Sequence, residues 1–191
     1  DLPFTTELGR NWELWMAYRE LEANTRDEHG WTTIEEEFND GSTIAEIGRM
    51  NNTLELTQIV VGPSQEFVDL WHQRDTIFLP DGKTEVSYSD QLQILDAPSK
   101  YLFWRGMRVQ TLQKPSVLTY NWLRPEDLTE DRTLKNAPLI PHFMVDYLVK
   151  LDDTNLVNKL LSATDENWES TFPWDYASEK PSKAFADLIW A

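Results

Sequence analysis

A chain of 191 residues with 33 Asp and Glu against 17 Lys and Arg carries a formal net charge of −16, which argues against nucleic acid or an anionic membrane surface as its partner. Nine Trp, eight Phe and six Tyr supply ample apolar area for one well-packed domain, so the charge does not imply disorder. The absence of Cys excludes disulfides, thiolate nucleophiles and Cys-based metal sites, and no apolar run is long enough to predict a membrane span.

The first thirty residues read two ways. Leu8, Trp12, Trp15 and Met16 recur at helical spacing, whereas Trp12, Leu14, Met16 and Tyr18 alternate as in a strand. From Trp31 onward, short β-favouring runs alternate with turn signals. The expected strands are Trp31–Phe38, Ser42–Ile47, Thr53–Val61, Phe67–Arg74, Thr76–Leu79, Thr84–Tyr88, Leu92–Leu95, Tyr101–Leu112 and Ser116–Arg124. Asn39-Asp40-Gly41, Pro80-Asp81-Gly82-Lys83 and Gln113-Lys114-Pro115 serve as turns. Beyond Pro125 the pattern turns helical. An apolar helix runs from Leu139 to Leu151, a second is capped by Asp152-Asp153, an irregular aromatic strap spans Trp168–Tyr176, and Ser182 caps a last turn.

This order predicts a mainly β (α+β) protein: an antiparallel barrel or strongly curved sheet of eight to nine strands followed by C-terminal helices. Residues 1–124 form the barrel-like part, with a helix or strand at its start. Residues 125–191 form a helical extension packed on it as one structural unit. The chain begins with Asp1 instead of Met, as expected of a protein processed from a longer precursor. The compartment stays open.

Gly9-Arg10-Asn11-Trp12, followed by many antiparallel strands and then a helix, resembles the layout of the calycins, the lipocalin-like barrels. In that family a Gly-x-Trp opens the first strand, and an Arg from a late strand closes over the Trp. Here the spacing is Gly-x-x-Trp, and Arg124 stands where the closing Arg would be. The resemblance implies a ligand held inside a barrel.

The residues themselves point to one window. From Ala97 to Pro125 there is no acidic side chain, yet Lys100, Arg105, Arg108, Lys114 and Arg124 are interleaved with Tyr101, Phe103, Trp104, Tyr120 and Trp122. An arginine fork binds two oxygens of a carboxylate or phosphate at once, and aromatic rings bury an apolar body. The expectation is therefore a carrier, sensor or pigment- or lipid-binding protein. Arg105, Arg108 and Arg124 would hold the anionic end of a small amphipathic molecule, against Trp104, Tyr120 and Trp122. The same arginines would equally serve as outward-facing partners of nearby acids. Two other readings stay open. One is a cofactor-free isomerase, cyclase or lyase with His72 as acid–base. The other is a non-catalytic acidic subunit docking on a larger assembly through its Trp-rich C-terminal segment. No GxGxxG, P-loop, GxSxG, EF-hand or HExxH pattern occurs, so no nucleotide cofactor and no metal are expected.

Overall fold

The structure, a computed structural model, describes residues 12–27, 30–37, 43–49, 56–61, 65–80, 87–129 and 132–189. The chain divides into two compact units, Asp1–Phe78 and Leu79–Ala191. The first holds sixteen acidic against five basic side chains, the second seventeen against twelve.

In the first unit the ambiguous opening segment is a helix, α1 (Leu14–Asp27). Tyr18, Arg19, Glu22 and Ala23 recur at helical spacing and are buried, which decides the period in favour of helix. A three-stranded antiparallel meander follows: β1 (Gly30–Glu37), β2 (Thr43–Arg49) and β3 (Leu56–Val61). The run expected as a strand at Phe67–Arg74 is a second helix, α2 (Gln65–His72). Phe67 and Trp71 lie one turn apart on it. Phe67 is buried, and the Trp71 ring meets Tyr18 edge-on at 6.0 Å. Phe78 completes this core against Tyr18 at 6.2 Å.

The second unit is built on a five-stranded sheet of β4 (Ser87–Tyr88), β5 (Leu92–Leu95), β6 (Ser99–Trp104), β7 (Met107–Ser116) and β8 (Thr119–Trp122), in the order β4-β5-β8-β6-β7. β8 pairs antiparallel with β5 and parallel with β6. All four of its residues are buried. Tyr120 and Trp122 alternate onto one face. There Trp122 meets Tyr147 edge-on at 5.8 Å, and Tyr120 meets Trp168 at 5.8 Å and Phe172 at 6.2 Å. The helices are α3 (Ile140–Leu148), α4 (Thr154–Leu161) and α5 (Lys183–Ile189). Asp153 caps α4, accepting from the amides of Asn155 and Leu156, and Ser182 Oγ accepts from the amide of Phe185 at the start of α5.

The expected eight-to-nine-strand barrel is not formed. The described strands belong to two separate open sheets, of three and five strands, and the larger ends in the edges β4 and β7. Closure requires one continuous sheet. Here the helix α2 replaces a strand between the two sheets, and β8 enters the middle of its sheet instead of extending an edge. The turn at Asn39-Asp40-Gly41, most of the turn at 80–83, Gly9 of the calycin-like opening and Trp190 lie outside the described residues. Among the described residues no helix is long and apolar enough to cross a membrane.

Candidate functional site

The acid-free window holds β6, β7 and β8, and β6 and β7 form a hairpin with its tip at Arg105-Gly106. Trp104 pairs with Met107, so the connection has two residues. Both adopt positive φ, 49° at Arg105 and 82° at Gly106. A two-residue hairpin turn matches strand twist when its residues are left-handed, a state that suits Gly and strains Arg. The tip is held firmly all the same. The Arg105 amide donates to the Trp122 carbonyl at 3.0 Å, the Gly106 amide donates to Asn121 Oδ1 at 2.8 Å, and the Leu79 amide donates to the Gly106 carbonyl at 2.7 Å.

Six residues were expected to line a ligand site, and the structure sorts them into two groups. Arg105 is exposed, with its guanidinium 4.8 Å from the centre of the Trp104 ring. Trp104 Nε1 donates to the Arg124 carbonyl at 2.8 Å, and the Arg124 guanidinium lies 4.5 Å from the Phe143 ring centre. Its Nε is 3.9 Å from Glu126, a loose pair. With Phe143 these three residues form a ledge of two cation–aromatic stacks bridged by one hydrogen bond. Arg105 has no carboxylate partner among the described residues, in a chain with 33 acids.

The other three face inward. Arg108 is buried, stacked 4.1 Å over Tyr101, and donates to Thr111 Oγ1 at 3.1 Å. Trp122 is fully buried and donates from Nε1 to Glu126 Oε1 at 3.1 Å. Tyr120 is fully buried, and its hydroxyl donates to Glu169 Oε1 at 2.8 Å.

Glu169 escaped the sequence reading. It lies on the strap in the short 3-10 turn Trp168–Thr171, 1% exposed, and accepts from the Val117 amide at 2.9 Å as well as from Tyr120. Oε2 is buried without a hydrogen-bond partner among the described residues. Burial raises the carboxyl above its ordinary value, against the lowering effect of its hydrogen bonds. Burial, with Glu169 alongside, holds the Tyr120 phenol well above its own. The carboxyl is a clamp that ties the strap to β8 and the approach to it. The one hint in the sequence is its place between Trp168 and Phe172, which bury it.

No protein-family model, curated protein or solved structure matches this chain.

His72 ends α2 in the first unit. It is exposed, and no described carboxylate is hydrogen-bonded to its ring. His142, in the first turn of α3, is exposed beside the Tyr176 ring. Among the described residues no group of three or more His, Asp or Glu is gathered as a metal site. The expected docking tail is folded onto its own sheet: Trp168 and Phe172 are buried, and Trp174 Nε1 donates to the Glu169 carbonyl at 3.2 Å.

Proposed function

We propose that this is a non-catalytic binding protein that holds an anionic, partly apolar group, a carboxylate or phosphate on an apolar body, on the ledge of Trp104, Arg105 and Arg124. One observation carries the reading: an exposed arginine without a carboxylate partner among the described residues, kept at positive φ and stacked on Trp104. A strained backbone persists where its surroundings over-determine it, and such residues concentrate at binding sites. The stack presents the guanidinium edge as a fork for two oxygens, and the flanking rings offer apolar surface to the rest of the ligand. Binding on a ledge replaces the barrel interior as the setting, and Arg108, Tyr120 and Trp122 are buried structural residues instead of ligand contacts.

The test uses decanoate, a carboxylate on an apolar chain, titrated into the whole protein while the Arg105 and Arg124 side-chain Nε–H signals are followed by NMR. Saturable shifts of both signals, lost in Arg105→Gln, support the reading. Saturable binding that leaves both signals in place, or no binding at all, refutes it.

A further inference from the structure

The first unit contains a groove of about 720 Å3 between the start of α1 and the outer side of α2. Its volume is that of a small-molecule site. Trp12 and Trp15 contribute rings, Leu70 adds apolar surface, and Glu13, Glu66 and Asp69 contribute carboxylates. Local structure explains the arrangement. Glu13 precedes the first turn of α1, and its carbonyl accepts from the amides of Met16 and Ala17. Its carboxylate accepts from Trp15 Nε1 at 2.6 Å, which fixes that ring against the helix start. Arg19, 1% exposed, lies 5.0 Å from the Trp15 ring centre and fixes it further. On α2, Glu66, Asp69 and Leu70 recur at three- and four-residue spacing and share one face.

The three carboxylates are exposed, and none is ion-paired with a Lys or Arg among the described residues. Asp69 accepts a hydrogen bond from Gln65 at 2.9 Å. The helix N-terminus gives Glu66 a structural reason to be acidic. It gives none for Asp69, a turn further on. The carboxylates are also too dispersed to form a metal site. Aromatic walls with separated negative charges suit a cation that is long, multiply charged and apolar along its stem: the ring faces attract ammonium groups, and methylenes pack on the rings.

We infer that the α1–α2 groove is a binding site for an aliphatic di- or polyamine. Its methylene stem lies along Trp12 and Trp15, and its ammonium groups pair with Glu13, Glu66 and Asp69. This site is independent of the arginine ledge: it lies in the other unit and takes a ligand of opposite charge.

The experiment is calorimetric titration of the whole chain with spermidine at physiological salt, with the tryptophan indole N–H signals followed by NMR in parallel. The expected result is saturable binding, with indole shifts. The double variant E66Q/D69N should weaken it about tenfold, the sum of two exposed ion pairs. A charge-matched control in the second unit, E166Q/D175N, should bind as the parent does, and so should Arg105→Gln. Both doubles alter exposed side chains. Equal weakening in the control overturns the site in favour of a diffuse acidic field. Unshifted indole signals, or binding of hexalysine without binding of spermidine, also overturn it, the latter in favour of a basic peptide.

Discussion

Arg19 in the first unit and Arg105 in the second are each stacked on a tryptophan, at 5.0 Å from Trp15 and 4.8 Å from Trp104, yet the first is 1% exposed and the second lies in the open. A desolvated cation–aromatic pair contributes about 2 kcal/mol, an exposed one about 0.5–1 kcal/mol. The same contact therefore builds the core of one unit and presents a charged group from the other. The surroundings follow the same division. The unit with sixteen acids against five bases keeps Arg19 inside and carboxylates around its groove, and the unit with seventeen against twelve buries Glu169 and leaves Arg105 outside. What distinguishes a structural charge from an available one here is burial rather than partner type.

That contrast can be broken by substitution. The largest effect is expected at Glu169. Glu169→Leu leaves the Val117 amide and the Tyr120 hydroxyl without an acceptor, a loss of about 3 kcal/mol in urea unfolding of the second unit. Glu169→Gln keeps an acceptor oxygen and should lose about a third of that. The parent and Glu169→Gln also separate by pH. The folded carboxyl is raised above its ordinary value of 4.5, so the folded chain holds this proton more tightly than the unfolded chain does. Its contribution is full below 4.5 and is lost as pH rises through the folded value. The urea midpoint of the parent should therefore fall relative to that of Glu169→Gln across this window, and parallel curves would show that Glu169 does not titrate there. Asp146 runs the opposite way. Burial raises it, but hydrogen bonds from Ser178 and Glu179 and the charge of Lys150 outweigh this, so it lies below its ordinary value and its support fades in acid.

Next in size is the arginine pair. Arg19→Met keeps a stem over Trp15 and should lose about 2 kcal/mol, whereas Arg105→Met should stay within about 0.5 kcal/mol. Equal losses would erase the difference between a buried and a presented stack. The last effect has the reverse sign. Arg105→Gly relieves a positive φ and should stabilise by about 1 kcal/mol, a rise of a few degrees in melting temperature, while abolishing decanoate binding. A variant that melts higher and still binds would show that the Arg105 guanidinium does not hold the ligand.

Much of the chain was legible in its sequence. Leu92–Leu95 is a strand at the expected bounds, Asp153 caps α4, and Ser182 caps α5, because each signal is local chemistry. The misreadings share a cause. Tyr101–Leu112 reads as one strand because Arg105 is an unusual residue for a left-handed position, so Arg105-Gly106 gives no turn signal. Pro115 reads as a turn, but β7 is an edge strand, where a missing amide is tolerated, and it runs on to Ser116. Phe67–Arg74 alternates passably as a strand, yet Pro63-Ser64 before Gln65-Glu66 is a helix start, and Phe67 and Trp71 keep helical spacing. The ledge was half legible: its residue types were plain, but which of six side chains reach the surface depends on the hairpin tip. Glu169 was invisible, since a single carboxylate in an acidic chain gives no hint of its partners 49 and 52 positions earlier.

The placement of β8 has a consequence for how the second unit assembles. β4–β5 and β6–β7 are each adjacent in sequence and able to pair locally, but they share no ladder until Thr119–Trp122 slides between β5 and β6. A chain emerging from the ribosome therefore shows two unsatisfied strand edges until its central strand has been made, and after that Trp122 waits for Tyr147, and Tyr120 for Trp168 and Phe172 some fifty residues on. Nascent or truncated forms that end after β7 but before Thr119 are thus the ones most prone to edge-to-edge aggregation, whereas forms ending between Trp122 and Trp168 close these edges but leave Tyr120 uncovered.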